Sequence, residues 1–360
     1  MKNQLNSEPI KGRGSSYNPA NRFAGHHSEA IDDGWWRDPD DVESLLTEVR
    51  PDPARQIISR NQSPDVPFDQ SINPYKGCEH GCVYCFARPT HSYLDLSPGL
   101  DFETRLFYKA NAAGLLDKAL RKPGYRCTPI ALGANTDPYQ PLEKRLSISR
   151  QILETCLAFK QPVAIITKGS LIERDLDLLG EMARNNLVQV MLSITSLDDE
   201  LKRSLEPRAA APAARLRAMQ QLHAAGIPVG VLVAPVIPVI TEPELESILR
   251  ACAKAGASSA GYVLLRLPHE VKELFRQWLV QHRPGEAAHV MSLIQQSRGG
   301  KDYDSRWGLR QRGQGAFADL LAQRFKIACR KLGLNQQRYP LNCESFRPPA
   351  SSGDQLGLFD

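Results

Sequence analysis

The sequence has no long uninterrupted hydrophobic run. Its longest apolar stretch, GIPVGVLVAPVIPVI over residues 226–240, is broken by three prolines, and the opening MKNQLNSEPIKGRG carries no apolar segment. Neither a membrane span nor a signal peptide is therefore expected, and a cytoplasmic location follows. Cysteine is too sparse for a disulfide scaffold, with eight in 360 residues; in a reducing compartment a local cluster of thiols reads as metal-binding or catalytic. Strong charge of one sign is also missing. A formal net charge of +5 permits a polyanionic partner without calling for one. No internal repeat of fixed period is found. What is left, 42% hydrophobic and 24% charged residues, is the composition of a soluble globular chain that can bury one large core or two modest ones.

Residues 1–50, with KGRGSSYNPANRFAGHHSE and DDGWWRDPDD, are polar and turn-rich without a sustained period, and read as a flexible N-terminal arm or a loop draped over the body. From residue 51, β-branched apolar runs alternate with amphipathic stretches of helical length, the pattern of successive βα units around a parallel sheet. Strands are expected at 68–76, 128–134, 162–167, 188–194, 227–234 and 259–266. Helices such as SISRQILETCLAFK and ELESILRACAKAG fall between them, and Gly226 and Gly256 are placed to cap helices before the next strand. Six βα units fall short of the eight of a closed barrel, and periodicity alone leaves a partial barrel and an open doubly wound sheet both standing. A helical C-terminal extension is expected over 271–342 and a flexible tail over 343–360.

The chemistry concentrates in INPYKGCEHGCVYCFARPTH, residues 72–91. Cys78, Cys82 and Cys85 form CxxxCxxC on the loop at the C-terminal end of the first expected strand, where α/β folds place their sites. A closed zinc site wants four ligands and no second CxxC exists, whereas an iron–sulfur cubane held by three thiolates keeps one iron free for another ligand. The competing reading is a zinc knuckle with His80 or His91 as fourth ligand.

CxxxCxxC with an aromatic before the last cysteine, here Tyr84, resembles the cluster signature of radical S-adenosylmethionine (SAM) enzymes, over roughly residues 51–270. NPYKGCEHGCVYCFARPTH, NTDPYQPLE and ITKGSLIERDLDLL are similar to the spore photoproduct lyase-like, or DNA repair photolyase-like, branch of that superfamily. The resemblance implies an α/β fold, a partial (β/α)6 TIM-like barrel, spanning 51–270. It implies a [4Fe–4S] cluster whose open iron is chelated by SAM, reductive cleavage to a 5′-deoxyadenosyl radical, and an electron donor such as flavodoxin or ferredoxin. By the same resemblance Tyr84 belongs with the cofactor-binding residues. Asn135, Thr136 and Asp137, after the second strand, would accept from the SAM ammonium group; Lys168, after the third, would meet its carboxylate; Ser193, on the fourth, would bond the ribose. Gly169 stands where relatives tend to carry serine.

Arg208, in the EPRAA stretch with Glu206, and Arg266 at the end of the sixth strand are candidate substrate contacts, since guanidinium suits phosphates and carboxylates; the plain alternative is a structural salt bridge. Spore photoproduct lyases carry a hydrogen-donating cysteine in the loop after the second strand, and here that position is Asn135, which cannot donate so. Cys127 lies at the other end of that strand, roughly 20 Å away along extended chain, and Tyr139 is the nearer candidate donor. The segment 297–315 interleaves Arg298, Lys301, Arg306, Arg310 and Arg312 with Tyr303 and Trp307, a composition that can follow a phosphate backbone and stack bases. The terminal QLGLF resembles the peptide by which bacterial repair proteins dock on the sliding clamp, with Gln355, Leu356, Leu358 and Phe359 matching. The expectation is a radical SAM enzyme acting in DNA repair or nucleic-acid modification. The alternatives are radical modification of a protein or RNA, and a non-catalytic zinc-stabilised nucleic-acid-binding adaptor.

Overall fold

The computed structural model describes residues 8–23, 46–337 and 340–350. Six parallel strands, β1 (Gln70–Ile72), β2 (Ile130–Leu132), β3 (Val163–Thr167), β4 (Val188–Ser193), β5 (Val229–Val236) and β6 (Ser259–Leu264), lie side by side in chain order, and Ile58–Arg60 pairs antiparallel on the outer edge of β1. Among the described residues no pairing joins β6 back to the first edge, so the sheet is an open, partial barrel. Each expected strand overlaps one strand of this sheet; 68–76 also takes in the short strand Tyr75–Lys76, and β5 runs two residues past 234. The runs are rich in Val, Ile and Leu because both faces of a parallel sheet are covered; Val190, Leu192, Val231 and Val233 are fully buried, each such side chain contributing about 1.5–3 kcal/mol.

The helices α1 (Ala112–Leu120), α2 (Ile148–Ala158), α3 (Leu176–Arg184), α4 (Pro212–Ala224) and α5 (Leu245–Lys254) fill the crossovers. Gly226 and Gly256 follow α4 and α5 at φ +74° and +98°, the left-handed stop expected of them. After β6 come α6 (Val271–His282), α7 (Ala287–Gln296) and α8 (Ala316–Lys331). They do not form one separate extension. Leu274, Phe275, Trp278 and Leu279 of α6, with Val290, Met291 and Ile294 of α7, share a core with Cys82, Val83 and Tyr84. Leu321, Ala328 and Cys329 of α8 join the main barrel core.

Two segments expected to be flexible are docked. At the C-terminal side, Phe346 lies 5.3 Å from the Tyr125 ring and 6.4 Å from that of Phe159, and the Arg347 N–H donates to the Phe159 carbonyl at 3.0 Å. At the N-terminal side, residues 13–22 run as a strap across the cysteine loop. The Gly14 and Ser15 N–H groups donate to the Glu103 carboxylate at 2.9 and 3.0 Å. The Tyr17 carbonyl accepts from Leu100 N–H at 3.2 Å, Asn18 exchanges two bonds with Asp101, and Arg22 pairs with Glu270 at 3.0 Å. Glycine is needed at Gly14 because a Cβ there would land on the Gly81 carbonyl oxygen. The sequence reads as turn-rich because a strap of this kind satisfies its polar groups on the body and has no period of its own. The clamp-like residues Gln355, Leu356, Leu358 and Phe359 lie outside the described residues.

Candidate active site

The short strand Tyr75–Lys76, paired with Arg105–Tyr108, leads into the cysteine loop and fixes its stem. Gly77 and Gly81 turn the loop at φ +78° and +68°, conformations closed to most other residues. Cys78 and Cys82 are each 8% exposed, Cys85 is half-buried, and none is in a disulfide. Burial pushes all three thiols above their ordinary range. Cys82 reaches about 12, with Glu206 adding to burial and Lys168 opposing; Cys78 is raised further by Asp137 and by the other two thiols. Three thiols close enough to perturb one another in a dry pocket are held as neutral groups, and a cationic centre is what would draw their protons off.

The loop is gripped from four sides. Arg88, fully buried, donates to the Cys82 carbonyl at 2.9 Å and the Gly81 carbonyl at 3.2 Å and pairs with buried Glu103, the same carboxylate that receives the strap. Gln140, from the loop after β2, accepts from the Glu79 N–H at 2.8 Å and donates to the Gly77 carbonyl at 3.3 Å. Tyr84 donates to Glu206, which also takes the Thr195 hydroxyl at 2.6 Å and pairs with buried Arg215. Arg208 pairs with Glu79 at 3.0 Å.

At the strand ends, Lys168 follows β3 with its Nζ 5.9 Å from the centre of the Tyr84 ring and 3.3 Å from the Ala234 carbonyl it donates to. No carboxylate lies within ion-pair distance of it among the described residues. Its charge is felt at Cys82, Cys85 and Glu206, so this ammonium faces the cysteine loop. Asn135 and Thr136 are held by their backbone N–H groups on Asn73 Oδ1 at 2.8 and 3.2 Å; the Thr136 hydroxyl donates to the Tyr75 carbonyl at 2.8 Å. Neither the Asn135 carboxamide nor the Ser193 hydroxyl makes a hydrogen bond to the described residues. Ser193 is the last residue of β4, and its carbonyl accepts from Arg215 at 2.9 Å.

Several expectations need correcting. Asp137 is spent on structure: its oxygens take the Tyr139 N–H at 2.8 Å, the Thr167 hydroxyl at 2.6 Å and the Lys168 N–H at 2.7 Å, and His80 Nδ1 lies 3.3 Å away. With its lone pairs so filled, it ties the β2 and β3 loops to the cysteine loop in place of meeting a SAM ammonium. Tyr139 is packed in the main core, 1% exposed, with its hydroxyl donating to Asp175 at 3.1 Å. Arg208 makes the salt bridge of the plain alternative, with Glu79, and Glu206 partners Arg215. Of the two histidines, His80 faces Asp137 through Nδ1, and His91 bonds the Arg105 carbonyl through Nε2 at 2.9 Å while its buried Nδ1 has no partner. Among the described residues no three His, Cys, Asp or Glu side chains converge as a mononuclear metal site, whereas cubane ligands sit on separate iron corners and stand apart. Of the basic residues in 297–315, Arg298 is buried, Arg306 pairs with Asp304, Arg310 with Asp65, and Arg312 lies over the Tyr262 ring at 4.2 Å. Arg266 follows β6, over the Phe86 ring at 4.9 Å. Cys127 donates to Gln161 at 3.5 Å, at the N-terminal end of the strands as expected.

Sequence reasoning missed Arg88, Glu103, Gln140 and Arg215. Arg88 had a weak signal, an arginine three residues past the last cysteine; Glu103 and Arg215 had none, since their partners are remote in sequence.

The two buried carboxylates predict acid sensitivity. Burial opposes ionisation of Asp137, but His80, Thr167 and Lys168 N–H bring it to about 2; burial likewise opposes Glu206, but Arg215, Lys168, Thr195 and Tyr84 bring it to about 2. Folded-state values below those of the unfolded chain give stability that is complete above about pH 4.5 and is lost as pH falls toward 2. Thermal melts should hold between pH 7 and 5 and drop steeply below 4; a melting temperature flat from pH 5 to 2.5 would contradict this.

The family profile described as the Radical SAM superfamily matches residues 72–252. An uncharacterized protein of Mycobacterium bovis and one of Mycobacterium tuberculosis are each 41% identical over 221 residues, which is 61% of this chain and 65% of the relative, so the chain matches under two thirds of their length. An uncharacterized protein of Methanocaldococcus jannaschii is 27% identical over 173 residues, 48% of this chain and 62% of that one. Among solved structures, a spore photoproduct lyase variant with bound AdoMet and dinucleoside spore photoproduct has a TM-score of 0.59 at 17% identity, covering 79% of this chain and 80% of that one. A second variant of that lyase gives 0.58 at 16%, with the same coverage. At these identities the likeness is one of fold. Among the described residues no helix is long and apolar enough to cross a membrane.

Proposed function

This chain belongs to the radical SAM superfamily and is an enzyme, and from that premise we propose that it binds a [4Fe–4S] cluster through Cys78, Cys82 and Cys85, cleaves SAM reductively, and acts on nucleic acid in repair or modification. The observation that carries this reading is the placement of three thiols, two buried and one half-buried, on one loop beside an ammonium, Lys168, that has no carboxylate within ion-pair distance among the described residues. The donor set fits the group: three thiols on one loop whose backbone is already fixed by Arg88 and Gln140. When bound, the cluster and SAM supply one-electron cleavage to a 5′-deoxyadenosyl radical.

This chain's residues then have distinct tasks. Lys168 takes the carboxylate of the methionine moiety by a charge-assisted bond. The free carboxamide of Asn135 and the hydroxyl of Thr136 receive the ammonium end, without Asp137, and the unengaged Ser193 hydroxyl meets the ribose. Tyr84, fixed by Glu206, walls the site and keeps water out. Arg266 stays a substrate contact, and Arg208 positions the loop through Glu79. An external one-electron donor is required, of the flavodoxin or ferredoxin kind, and QLGLF supplies a tether to the sliding clamp.

Support for the nucleic-acid setting comes from the fold shared with a lyase solved with a dinucleoside photoproduct. The test is 5′-deoxyadenosine formation by the reconstituted, reduced protein with and without DNA, intact or ultraviolet-irradiated. Stimulation by DNA, and not by an equal charge of heparin, is expected. Cleavage indifferent to either DNA would move the substrate to a protein or RNA.

A further inference from the structure

The α7–α8 connection holds a cavity of about 420 Å³ lined by Arg298, Lys301, Tyr303, Asp304 and Arg306, among others. Arg266 is not in the lining but lies beside it, close enough to act on Arg298 and bonded to Tyr303, and neither arginine makes an ion pair among the described residues. Arg298 is 1% exposed. Its terminal nitrogens donate only to neutral carbonyls, those of Leu264, Leu265 and Leu309, and its buried Nε has no partner. Arg266 also has a buried, unpartnered Nε; its one hydrogen bond, to the Tyr303 hydroxyl, is long at 3.4 Å. Burial and then the nearness of Arg266 lower the Arg298 guanidinium to about 10.

The acids nearby are committed elsewhere. Asp304 gives both oxygens to Arg306 and one to the Arg306 N–H. Asp65 takes Arg310 and the Gly308 N–H. Two neighbouring guanidinium groups, Arg298 fully buried and Arg266 partly so, each keep an unspent Nε–H donor, and the carboxylate whose charge reaches Arg298, Asp304, is already bound to Arg306; an anion is what removes the cost of that arrangement.

We propose that Arg266 and Arg298, with Tyr303 and Lys301, form a phosphate-binding site on the rim of the barrel mouth. Phosphate, with oxygens pointing in four directions, can take N–H donors from two guanidinium groups and an ammonium and the O–H of a phenol together; a flat carboxylate cannot spread so widely. Gly299 and Gly300, both at positive φ, turn the chain sharply between Arg298 and Lys301. Phe86 and Trp307, 43% and 61% exposed, flank the site as surfaces on which bases can stack. Phe86 also sets its location, since Arg266 lies over the ring of the residue next to Cys85, at the edge of the chemistry. The site deepens the nucleic-acid reading and rests on it for the source of the phosphate, a strand diester; the same donors would take a free phosphate.

The test uses the full chain and three probes: inorganic phosphate, a short oligodeoxynucleotide, and the same oligonucleotide with a neutral methylphosphonate backbone. Titrations compare the parent with Arg266→Gln and with Arg330→Gln, which removes one exposed charge on α8. Arg298→Gln is set aside because it severs the bonds that hold the chain at Leu264, Leu265 and Leu309. Arg266→Gln should weaken phosphate binding by roughly 10- to 100-fold, as expected for losing a charged hydrogen bond, while Arg330→Gln stays within about twofold of the parent. If the oligonucleotide weakens in parallel and its neutral analogue binds poorly, the phosphate comes from a strand. If phosphate weakens but the oligonucleotide does not, the site stands and its ligand is a free phosphate. Equal binding by parent and Arg266→Gln, or no phosphate binding by the parent, overturns the site; oligonucleotide binding that persists in that case leaves the nucleic-acid reading intact.

Discussion

Replacing Glu103 by alanine is expected to lower the stability of the fold by about 3–5 kcal/mol and to loosen the cysteine loop in the same step. Glu103 and Arg88 are both fully buried and face each other. Removing the carboxylate leaves a guanidinium in the interior with only carbonyl partners, those of Gly81, Cys82, Pro98 and Gly99. It also frees the Gly14 and Ser15 N–H groups, so the strap loses its central anchor. Urea unfolding of the metal-free protein reads the first effect. The rate at which a thiol reagent labels the protein, well below the unfolding midpoint, reads the second. Glu103→Gln should recover part of the stability, since the amide oxygen still accepts. An unchanged unfolding midpoint for the alanine variant would mean that Arg88 finds another counter-charge and that the strap is held without Glu103.

Replacing Lys168 by methionine is expected to weaken SAM binding by roughly 10- to 100-fold, the equivalent of one charged hydrogen bond of about 1.5–3 kcal/mol. The fold should be little affected, because the ammonium makes a single 3.3 Å bond to the Ala234 carbonyl and no ion pair within reach, and methionine keeps the aliphatic stem. Equilibrium binding of SAM to the reconstituted protein measures this. Parent-like affinity in the variant would show that the methionine carboxylate is met elsewhere, and the assignment of the strand-end residues would have to be redrawn.

Much of the architecture is legible in the chain because it is local. Val163–Thr167 and Val188–Ser193 are short β-branched runs between amphipathic stretches, and Gly226 and Gly256 mark their own left-handed stops. The cysteine spacing likewise announces its loop. The contacts that hold the loop are not local. Arg88 meets Glu103 across a short helix, Gln140 reaches back from a different strand end, and Glu206 chooses Arg215 on α4 over Arg208 two residues away. Nothing in composition or period selects among such partners. Asp137 shows the same limit from the other side. A carboxylate at a strand end looks free in sequence, and only the fold brings Thr167, the Lys168 N–H and His80 to it. For the strap the sequence left a flexible arm and a draped loop both open: residues 13–22 carry no apolar period, because they are held by hydrogen bonds to the body and by the close approach of Gly14 to Gly81.

The most direct test of the central claim is anaerobic. The protein and a variant with Cys78, Cys82 and Cys85 changed to alanine are reconstituted with iron and sulfide, reduced and mixed with SAM, and 5′-deoxyadenosine is quantified along with bound metal. The account predicts iron and sulfide on the parent, 5′-deoxyadenosine from the parent, and neither from the variant. Zinc without iron on the parent, with no cleavage of SAM, would contradict it.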